Sequence, residues 1–336
     1  MRVLVTGASS LIGIGVVGRL VGRGDRVVAL QRRHVSGLPD AVEQHLGDIA
    51  DADVVTAAAR GCDGVVHLAA KVGVVGDRSD YVATNVDGTR HVLEAARLHR
   101  IERVVHVSSP SVAHDGQPIV GGGADPAITE HGAAWYPETK AIAERMALAA
   151  NGTDVAVTVI RPHLVWGPGD TQLVGRIVER AAAGRLALVG GGAALVDTTY
   201  IDNATAALVA ALDAVRPGAR CAGRAYVVAN GEPRPIRELV EGICAAAGVR
   251  FEPRDVPLAT ARRLGSAIDH LWPRLGRQDE PPLTRFLADQ LGTAHWFDPR
   301  PTREDLGWTP HVSIDEGLRE LAAWFDRTSR SGNAPR

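Results

Sequence analysis

Apolar residues follow two alternating patterns along the first half of the chain. Short, nearly continuous runs of Val, Leu and Ile are typical of strands buried on both faces, and they predict strands at Val3–Val5, Arg26–Gln31, Gln44–Leu46, Gly64–Leu68, Val104–Ser108 and Val155–Ile160. Longer stretches with one apolar face predict helices that end near Val21 or span Tyr81–Leu98 and Trp135–Ala149. Strands that alternate with helices indicate βαβ units, so we predict an α/β fold with a doubly wound parallel sheet.

The pattern loosens after Arg161-Pro162, where segments rich in Gly, Pro and Trp alternate with helices. The predicted elements here are a strand at Ala225–Ala229 that returns to the sheet and helices near Val174–Ala183, Asn203–Ala214, Ile236–Ala247 and Ile314–Asp326. We expect a smaller, mixed α/β substrate-binding domain beside the sheet domain. The expected division is residues 1–165 plus about 196–229 for the sheet domain, about 166–195 plus 230–326 for the substrate domain, and 327–336 as a flexible tail.

The stretch Val256–Leu275 also has apolar residues at a helical spacing. Its stripe suggests a flap over a long acyl chain, or a contact with a membrane surface or a partner enzyme. The alternative is ordinary packing in the core of the substrate domain.

Composition and charge exclude several classes of protein. The 336 residues are 45% hydrophobic with a formal net charge of −2, so no basic surface for nucleic acid is expected. The cysteines Cys62, Cys221 and Cys244 are far apart and have no histidine at a metal-ligand spacing, so we expect buried thiols and no metal. No run approaches the roughly 18 apolar residues of a membrane helix, and the first residues enter a strand directly. We therefore expect a cytoplasmic protein.

A glycine-containing segment, Thr6–Gly13, joins the first predicted strand to the first helix. A glycine turn lets a pyrophosphate approach the backbone, and the helix N-terminus supplies unpaired N–H groups. This position in a strand–turn–helix unit predicts a Rossmann-type dinucleotide site; a tight turn without a ligand is the alternative. The candidate residues are Gly7, Ser9, Ser10, Leu11, Ile12 and Gly13.

The end of the second strand indicates which dinucleotide is preferred. An acidic residue there binds the ribose 2′-hydroxyl of NAD, whereas an arginine accommodates the 2′-phosphate of NADP. The chain has Arg32 and Arg33 there and no carboxylate, so we predict NADP(H), with Arg32 the favoured contact. Two surface arginines in an enzyme that also accepts NAD(H) are the alternative. Asp48 after the third strand is a candidate for the adenine amino group, and Leu68-Ala69-Ala70 for a backbone passage under the cofactor.

Lys140 follows Tyr136 by four residues in a predicted helix, and it is one of only two lysines in the chain. Residues at this spacing share one helix face. A neighbouring ammonium would lower the pKa of a phenol, which could then exchange a proton with a carbonyl or alcohol oxygen. A surface pair without function is the alternative.

These segments together resemble the extended short-chain dehydrogenases/reductases, the NAD-dependent epimerase/dehydratase superfamily. The matching segments, in chain order, are Thr6–Gly13, Gly47-Asp48-Ile49, His67–Ala70, Thr84–Thr89, Ser108-Ser109, Tyr136 with Lys140, Arg161-Pro162 and Gly167–Asp170. One position departs from the family: Ser10 stands where a glycine is usual, and we expect its hydroxyl to contact phosphate instead.

Further segments resemble the 3β-hydroxysteroid dehydrogenase branch of these enzymes, namely Ser108–Val112, Arg161–Pro168, Thr199–Asn203 and Asn230–Pro233. Two C-terminal segments, Glu280–Leu287 and His295–Asp298, are similar to the bacterial 2-alkyl-3-oxoalkanoate reductases of olefin and β-lactone biosynthesis. This resemblance implies reduction of an apolar 2-alkyl-3-oxo acid to the 3-hydroxy acid.

The resemblance implies roles for individual residues. Tyr136 exchanges the proton, Lys140 lowers the pKa of that tyrosine and binds the nicotinamide ribose, and Ser109 bonds the substrate oxygen. Ser109 is preferred to Ser108 because the family's hydroxyl stands three residues before the valine, here Val112. The remaining cofactor contacts implied by the motifs are Ile49, Asn85, Ser108, Pro162 and His163.

The resemblance also implies a homodimer through helices at 81–98 and 135–149. Three other functions stay open: oxidation of a 3β-hydroxysteroid or sterol, nucleotide-sugar epimerisation or dehydration, and a non-catalytic NADP-sensing module.

Overall fold

The structure is a computed structural model that describes residues 1–73, 76–130, 135–275, 281 and 283–330. Its strands, in chain order, are β1 (Arg2–Thr6), β2 (Arg26–Gln31), β3 (Glu43–Leu46), β4 (Gly64–His67), β5 (Arg103–Val107), β6 (Ile119–Gly122), β7 (Ala156–Pro162), β8 (Val165–Trp166), β9 (Ala187–Val189), β10 (Leu195–Val196), β11 (Thr199–Tyr200), β12 (Arg224–Val228), β13 (Arg234–Pro235), β14 (Arg254–Val256) and β15 (His295–Phe297).

The α-helices of the described residues are α1 (Leu11–Gly22), α2 (Ala52–Ala59), α3 (Arg78–Tyr81), α4 (Gly88–Leu98), α5 (Trp135–Ala149), α6 (Val174–Ala182), α7 (Ile201–Ala214), α8 (Ile236–Ala246), α9 (Leu258–Leu271), α10 (Arg285–Gly292), α11 (Arg300–Leu306) and α12 (Ile314–Arg330). A π-helix at Val82–Asp87 joins α3 to α4, and short 3-10 helices lie at Pro110–Ala113, Gly190–Gly192 and Pro273–Leu275.

Seven strands form one sheet in the order β12-β7-β5-β4-β1-β2-β3. Every neighbouring pair in it is parallel. The predicted doubly wound parallel sheet is therefore confirmed, including the late strand β12, which returns to pair with β7. The order of strand addition reverses between β1 and β4, and ligands of such sheets bind at the carboxyl ends of the strands beside this reversal.

Both faces of the sheet are buried, which explains why its strands are apolar without alternation. Val3 and Val5 pack with Val16 of α1 and Leu208 of α7 in one hydrophobic cluster. Leu4, between the two valines, points to the opposite face, where it belongs to the cluster that covers α2, α4 and α5.

Two predicted helices differ from the observed ones. The expected helix Tyr81–Leu98 begins as α3 and is interrupted by the π-helix, a feature often found at functional sites. The last helix continues to Arg330, so the first four residues of the predicted flexible tail are helical, and 331–336 lie outside the described residues. Other element ends shift by only one or two residues.

A second sheet, in the order β13-β10-β15-β6, joins distant parts of the chain. Strand β6 lies between β5 and α5 in sequence, and it pairs with β15 near the C-terminus. C-terminal side chains therefore come close to the loops that follow β5 and β7.

The apolar stripe predicted at Val256–Leu275 is divided between two environments. Small residues pack α9 on α10: a Cβ on Gly265 would lie 2.6 Å from the Arg285 nitrogen. Leu264, Leu271 and Leu275 are instead exposed. Core packing therefore does not account for the whole stripe. Among the helices of the described residues, none is both long and apolar enough to cross a bilayer.

Candidate active site

The turn between β1 and α1 packs directly on the chain that follows β4. Gly7 has a φ of +68°, and a Cβ there would lie 2.8 Å from the nitrogen of Ala69. A Cβ on Gly13 would lie 2.4 Å from the carbonyl oxygen of Gly7. Both positions require glycine, because any side chain would push the turn away from the strand ends. The turn from Gly7 to Gly13 and the backbone of Leu68-Ala69 therefore form a narrow cradle, at the point where the order of strands in the sheet reverses.

Ser10 stabilises this turn through two hydrogen bonds of its hydroxyl group. Its hydroxyl accepts the N–H of Gly13 at 3.0 Å and donates to the carbonyl of Gly7 at 2.9 Å. The serine thus acts as the N-cap of α1. The turn thus uses the hydroxyl proton of Ser10, and a contact between this hydroxyl and phosphate stays a prediction. The exposed Ser9 and the first-turn N–H groups of Leu11 and Ile12, which have no partner within the helix, remain at the edge of the cradle.

The two arginines after β2 project into solvent. Arg32 and Arg33 are exposed, and in the described part of the chain neither has a hydrogen bond or an ion pair. Gln31 just before them is buried and donates to Gln44 at 2.7 Å, which fixes the end of the strand. Two free guanidiniums therefore stand at the position where a ribose substituent is recognised.

The candidates after β3 have different environments. Asp48 is exposed, and its Oδ1 accepts the N–H of Ala50 at 2.9 Å. Ile49 is buried, and its side chain packs against Gly88 at the start of α4, where a Cβ would lie 2.8 Å from it. Its side chain therefore lies in the core rather than in the cradle.

A buried hydrogen-bond chain runs from the cradle to the π-helix. The Ala69 N–H donates to Thr6 Oγ1 at 3.1 Å, and that hydroxyl lies 2.7 Å from His67 Nδ1. On its other side, His67 Nε2 is 3.0 Å from Thr89 Oγ1, which donates to the carbonyl of Asn85 at 2.6 Å. His67 is therefore a neutral ring that donates from Nε2, in accord with burial lowering its pKa to about 3. The motif matches did not reveal this chain, because its members are separated along the sequence.

Asn85 joins the loop after β4 to α5. Its Oδ1 accepts the N–H of Lys71 at 2.7 Å, while Nδ2 donates to the Lys71 carbonyl at 3.1 Å and to Thr139 Oγ1 at 3.0 Å. Both amide protons are thus used by the protein. Asn85 therefore positions the elements around the site, and its contact with the cofactor stays a prediction.

Ser109 follows β5 and caps the 3-10 helix. Its Oγ accepts the N–H of Ser111 at 3.3 Å and the Ser111 hydroxyl at 2.9 Å. Because Ser109 accepts both bonds, its own proton is available to another oxygen. The neighbouring Ser108 is buried, and its Oγ has no hydrogen-bond partner among the described residues. Ser111, which the sequence reasoning missed, therefore orients the Ser109 hydroxyl.

Tyr136 and Lys140 lie on α5 as predicted, but their side chains act on different groups. Burial raises the pKa of Tyr136, and hydrogen bonding from Ser109 opposes this effect. Lys140 is buried and donates from Nζ to the carbonyl of Val107 at 2.6 Å. No hydrogen bond joins the phenol and the ammonium within the described residues. The ammonium turns toward the end of β5, and a lowering of the Tyr136 pKa by Lys140 stays a prediction.

A buried ion pair lies one turn beyond Lys140. Arg161 Nε donates to Glu144 Oε2 at 2.9 Å, and each side chain is only 1% exposed. Arg161 also donates to the carbonyl of Asp125 at 2.8 Å. Burial lowers the pKa of Lys140 to about 8, and the Glu144 charge opposes this shift. The i+4 spacing from Lys140 was a signal for Glu144 that the sequence analysis did not use.

Pro162 and His163 stand at the carboxyl end of β7. His163 is buried and donates from Nδ1 to the carbonyl of Asp197 at 2.6 Å. Burial lowers its pKa to about 4, so the ring is neutral at physiological pH. Nearby, His114 and His295 approach within 3.0 Å through their Nε2 atoms and connect the Ser109 loop to β15.

Comparison with known proteins identifies the family. Residues 4–258 match the family model for 3-beta hydroxysteroid dehydrogenase/isomerase proteins. The chain belongs to the 3-beta hydroxysteroid dehydrogenase/isomerase family. It is an extended short-chain dehydrogenase/reductase, an NAD(P)-dependent oxidoreductase that acts on the CH–OH/C=O pair. The resemblance drawn from the motifs is confirmed, although Glu280 and Pro282 of the C-terminal match lie outside the described residues.

Individual relatives align with this family member over nearly their whole length. A 2-alkyl-3-oxoalkanoate reductase of Stenotrophomonas maltophilia is 48% identical over 326 residues, which cover 96% of this chain and 99% of that protein. A 3 beta-hydroxysteroid dehydrogenase/Delta 5→4-isomerase of Mycobacterium tuberculosis is 32% identical over 335 residues, covering 96% and 90%. The solved structure of MoeE5 in complex with UDP-glucuronic acid and NAD has a TM-score of 0.71 at 27% identity, covering 98% and 100%. These neighbours support a nicotinamide cofactor.

Proposed function

We propose that this enzyme reduces a 2-alkyl-3-oxoalkanoic acid to the 3-hydroxy acid with NADPH. The observation that carries the proposal is the 48% identity, over nearly the full length of both chains, to the reductase of that name. The residues of the site fit this chemistry.

The cradle fits a dinucleotide. Glycines at positions 7 and 13 let the turn pack closely against Ala69 and against its own backbone. The N-terminus of α1 offers N–H groups for a pyrophosphate. When bound, the cofactor supplies the hydride that reduces the substrate carbonyl carbon. Gly7, Ser9, Leu11, Ile12 and Gly13 would hold its phosphates.

The protonation state of Tyr136 favours reduction. A phenol whose pKa is raised by burial keeps its proton at neutral pH, so it is ready to donate to the oxygen of a ketone. Ser109, whose hydroxyl hydrogen-bonds the Tyr136 phenol, would donate to the same substrate oxygen and stabilise its developing charge. Lys140 would hold the end of β5 and bind the nicotinamide ribose hydroxyls.

The preference for NADPH follows from charge at the end of β2. Two exposed guanidiniums, unpaired among the residues that the structure describes, match a 2′-phosphate, whereas the sequence has no carboxylate there to bind the 2′-hydroxyl of NAD. Asp48 would hold the adenine amino group, and the Leu68–Ala70 backbone would pass beneath the cofactor. Pro162 and His163 would border the nicotinamide.

The proposal also includes the division into domains and the oligomeric state. Residues 1–165 and about 196–229 would bind the cofactor, and about 166–195 and 230–326 would bind the substrate. A homodimer would form through α4 and α5.

The test is a substrate panel with the purified enzyme. NADPH absorbance is followed with 2-alkyl-3-oxo acids, 3-ketosteroids and nucleotide sugars, and NADP⁺ reduction with 3β-hydroxysteroids. We expect the highest kcat/KM with the 3-oxo acids. The steroid dehydrogenase is the second candidate, because a relative of that name is 32% identical over 96% of the chain. Preferred turnover of a steroid would replace the proposal, and turnover of no compound would favour a sensor.

A further inference from the structure

Lys71, the second lysine of the chain, is fixed to the catalytic helix through its backbone. Asn85 accepts its N–H at 2.7 Å and donates to its carbonyl at 3.1 Å. The same amide donates to Thr139, which lies between Tyr136 and Lys140 on α5. The backbone of Lys71, from which its side chain extends, is therefore held in place relative to Tyr136, the proposed proton donor.

The ammonium of Lys71 is held at the surface of this loop. It lies 2.8 Å from Asp80 Oδ2 and 5.2 Å from the centroid of the Tyr81 ring. Gly76, with a φ of +116°, folds over it, and a Cβ there would come within 2.8 Å of Nζ. The loop thus presents one cation in a restricted position beside α3.

The Asp80 carboxylate of this ion pair could be replaced by another carboxylate. The Lys71 side chain is 29% exposed and that of Asp80 is 58% exposed. An exposed pair of this kind contributes little to stability, because water screens both charges. A second carboxylate could replace Asp80 at little cost.

Two arginines near α5 are already committed to other carboxylates. Arg78 donates through Nε and Nη2 to Glu138, which is only 13% exposed. Arg161 is fully buried against Glu144. Neither guanidinium can turn to a ligand without leaving a shielded carboxylate unpaired.

We propose that Lys71 binds the carboxylate of the substrate, displacing Asp80. This inference rests on the proposed function, in which the substrate is a 3-oxo acid. In such an acid one carbon separates the ketone from the carboxylate. A ketone bound at Tyr136 and Ser109 therefore carries its carboxylate close by. The backbone of Lys71 is tied through Asn85 to Thr139, which lies between Tyr136 and Lys140 on α5. Lys71 selects acids over neutral ketones.

The test compares one 2-alkyl-3-oxo acid with its methyl ester. For Lys71→Gln we expect kcat/KM for the acid to fall at least tenfold, mainly through KM, and kcat/KM for the ester to change less than about twofold, since a charge-assisted bond is lost only with the acid. Lys71→Arg should restore most of the loss. Asp80→Asn, which removes the competing carboxylate, should lower KM for the acid.

The outcomes separate this inference from the proposed function. Equal losses for acid and ester in Lys71→Gln, with no recovery in Lys71→Arg, would give Lys71 a structural role only and overturn the inference. If the parent enzyme reduced neither compound yet turned over a steroid or nucleotide sugar, the proposed function itself would fall. Should Lys71→Gln not fold, the acid-to-ester ratio in Asp80→Asn decides: a ratio unchanged from that of the parent enzyme contradicts the inference.

Discussion

Lys140 donates from its buried ammonium to the carbonyl oxygen of Val107 at 2.6 Å. Ser109 follows Val107 by two residues, and Tyr136 precedes Lys140 by one helical turn. This hydrogen bond joins the helix of the proposed proton donor to the end of β5, just before the loop of the hydroxyl that assists it. The bond therefore helps to set the relative position of Tyr136 and Ser109.

Lys140 should make stability depend on pH in the alkaline range. Burial lowers its pKa from 10.5 to about 8 in the folded chain, so between these pH values the unfolded chain binds more protons. Stability of the parent should therefore rise with pH over this window, relative to Lys140→Met, by up to about 3 kcal/mol. Urea unfolding of both proteins from pH 7 to pH 11 measures the difference. A constant difference across that range would contradict a depressed pKa.

Tyr136→Phe should fold normally and bind NADPH, but lose turnover by about 10²–10⁴-fold, since general acid catalysis contributes on that order. Stopped-flow or steady-state absorbance gives the rate, and NADPH fluorescence gives the binding. Tyr226→Phe is the matched control, because the Tyr226 hydroxyl bonds Asp305 at 2.7 Å on the last strand of the sheet. Full turnover in Tyr136→Phe would remove this residue from the mechanism.

Removing both arginines after β2 should abolish the cofactor preference. Arg32→Ala with Arg33→Ala would lose charge-assisted bonds worth about 1.5–3 kcal/mol each, so kcat/KM for NADPH should fall at least tenfold while that for NADH is nearly unchanged. Arg26→Ala is the control, as Arg26 is exposed at the opposite end of β2. Equal efficiency of NADH and NADPH in the parent enzyme would refute the preference.

Two glycines of α1 should respond differently to alanine. Gly13→Ala places a Cβ 2.4 Å from the Gly7 carbonyl, so the cradle must open and NADPH affinity should fall tenfold or more. Gly18→Ala meets nothing within 4 Å and should raise helix stability by about 0.4–1 kcal/mol without changing affinity. Isothermal titration and urea unfolding measure both effects. Unaltered NADPH affinity in Gly13→Ala would show that the cradle does not hold the dinucleotide.

Much of the fold could be predicted because its signals are local. The continuous apolar run Val3–Val5 indicates a strand covered on both faces, and glycines at positions 7 and 13 indicate close packing of the turn. The π-helix at Val82–Asp87 could not be predicted, since its apolar spacing is nearly that of an α-helix. The end of the last helix was also missed, because polar residues such as Arg327 and Arg330 are compatible with an exposed helix.

The sequence by itself determined the parallel sheet, the position of the dinucleotide turn, and the placement of Tyr136 and Lys140 on one helix, because each depends on residues close together in the chain. Only the tertiary structure decided what the side chains do. The partner of Lys140 lies 33 residues away, and Asn85 bridges to Thr139 across 54 residues. A polar side chain in a buried site bonds whichever group folding brings within reach, and sequence spacing contains no information about that choice.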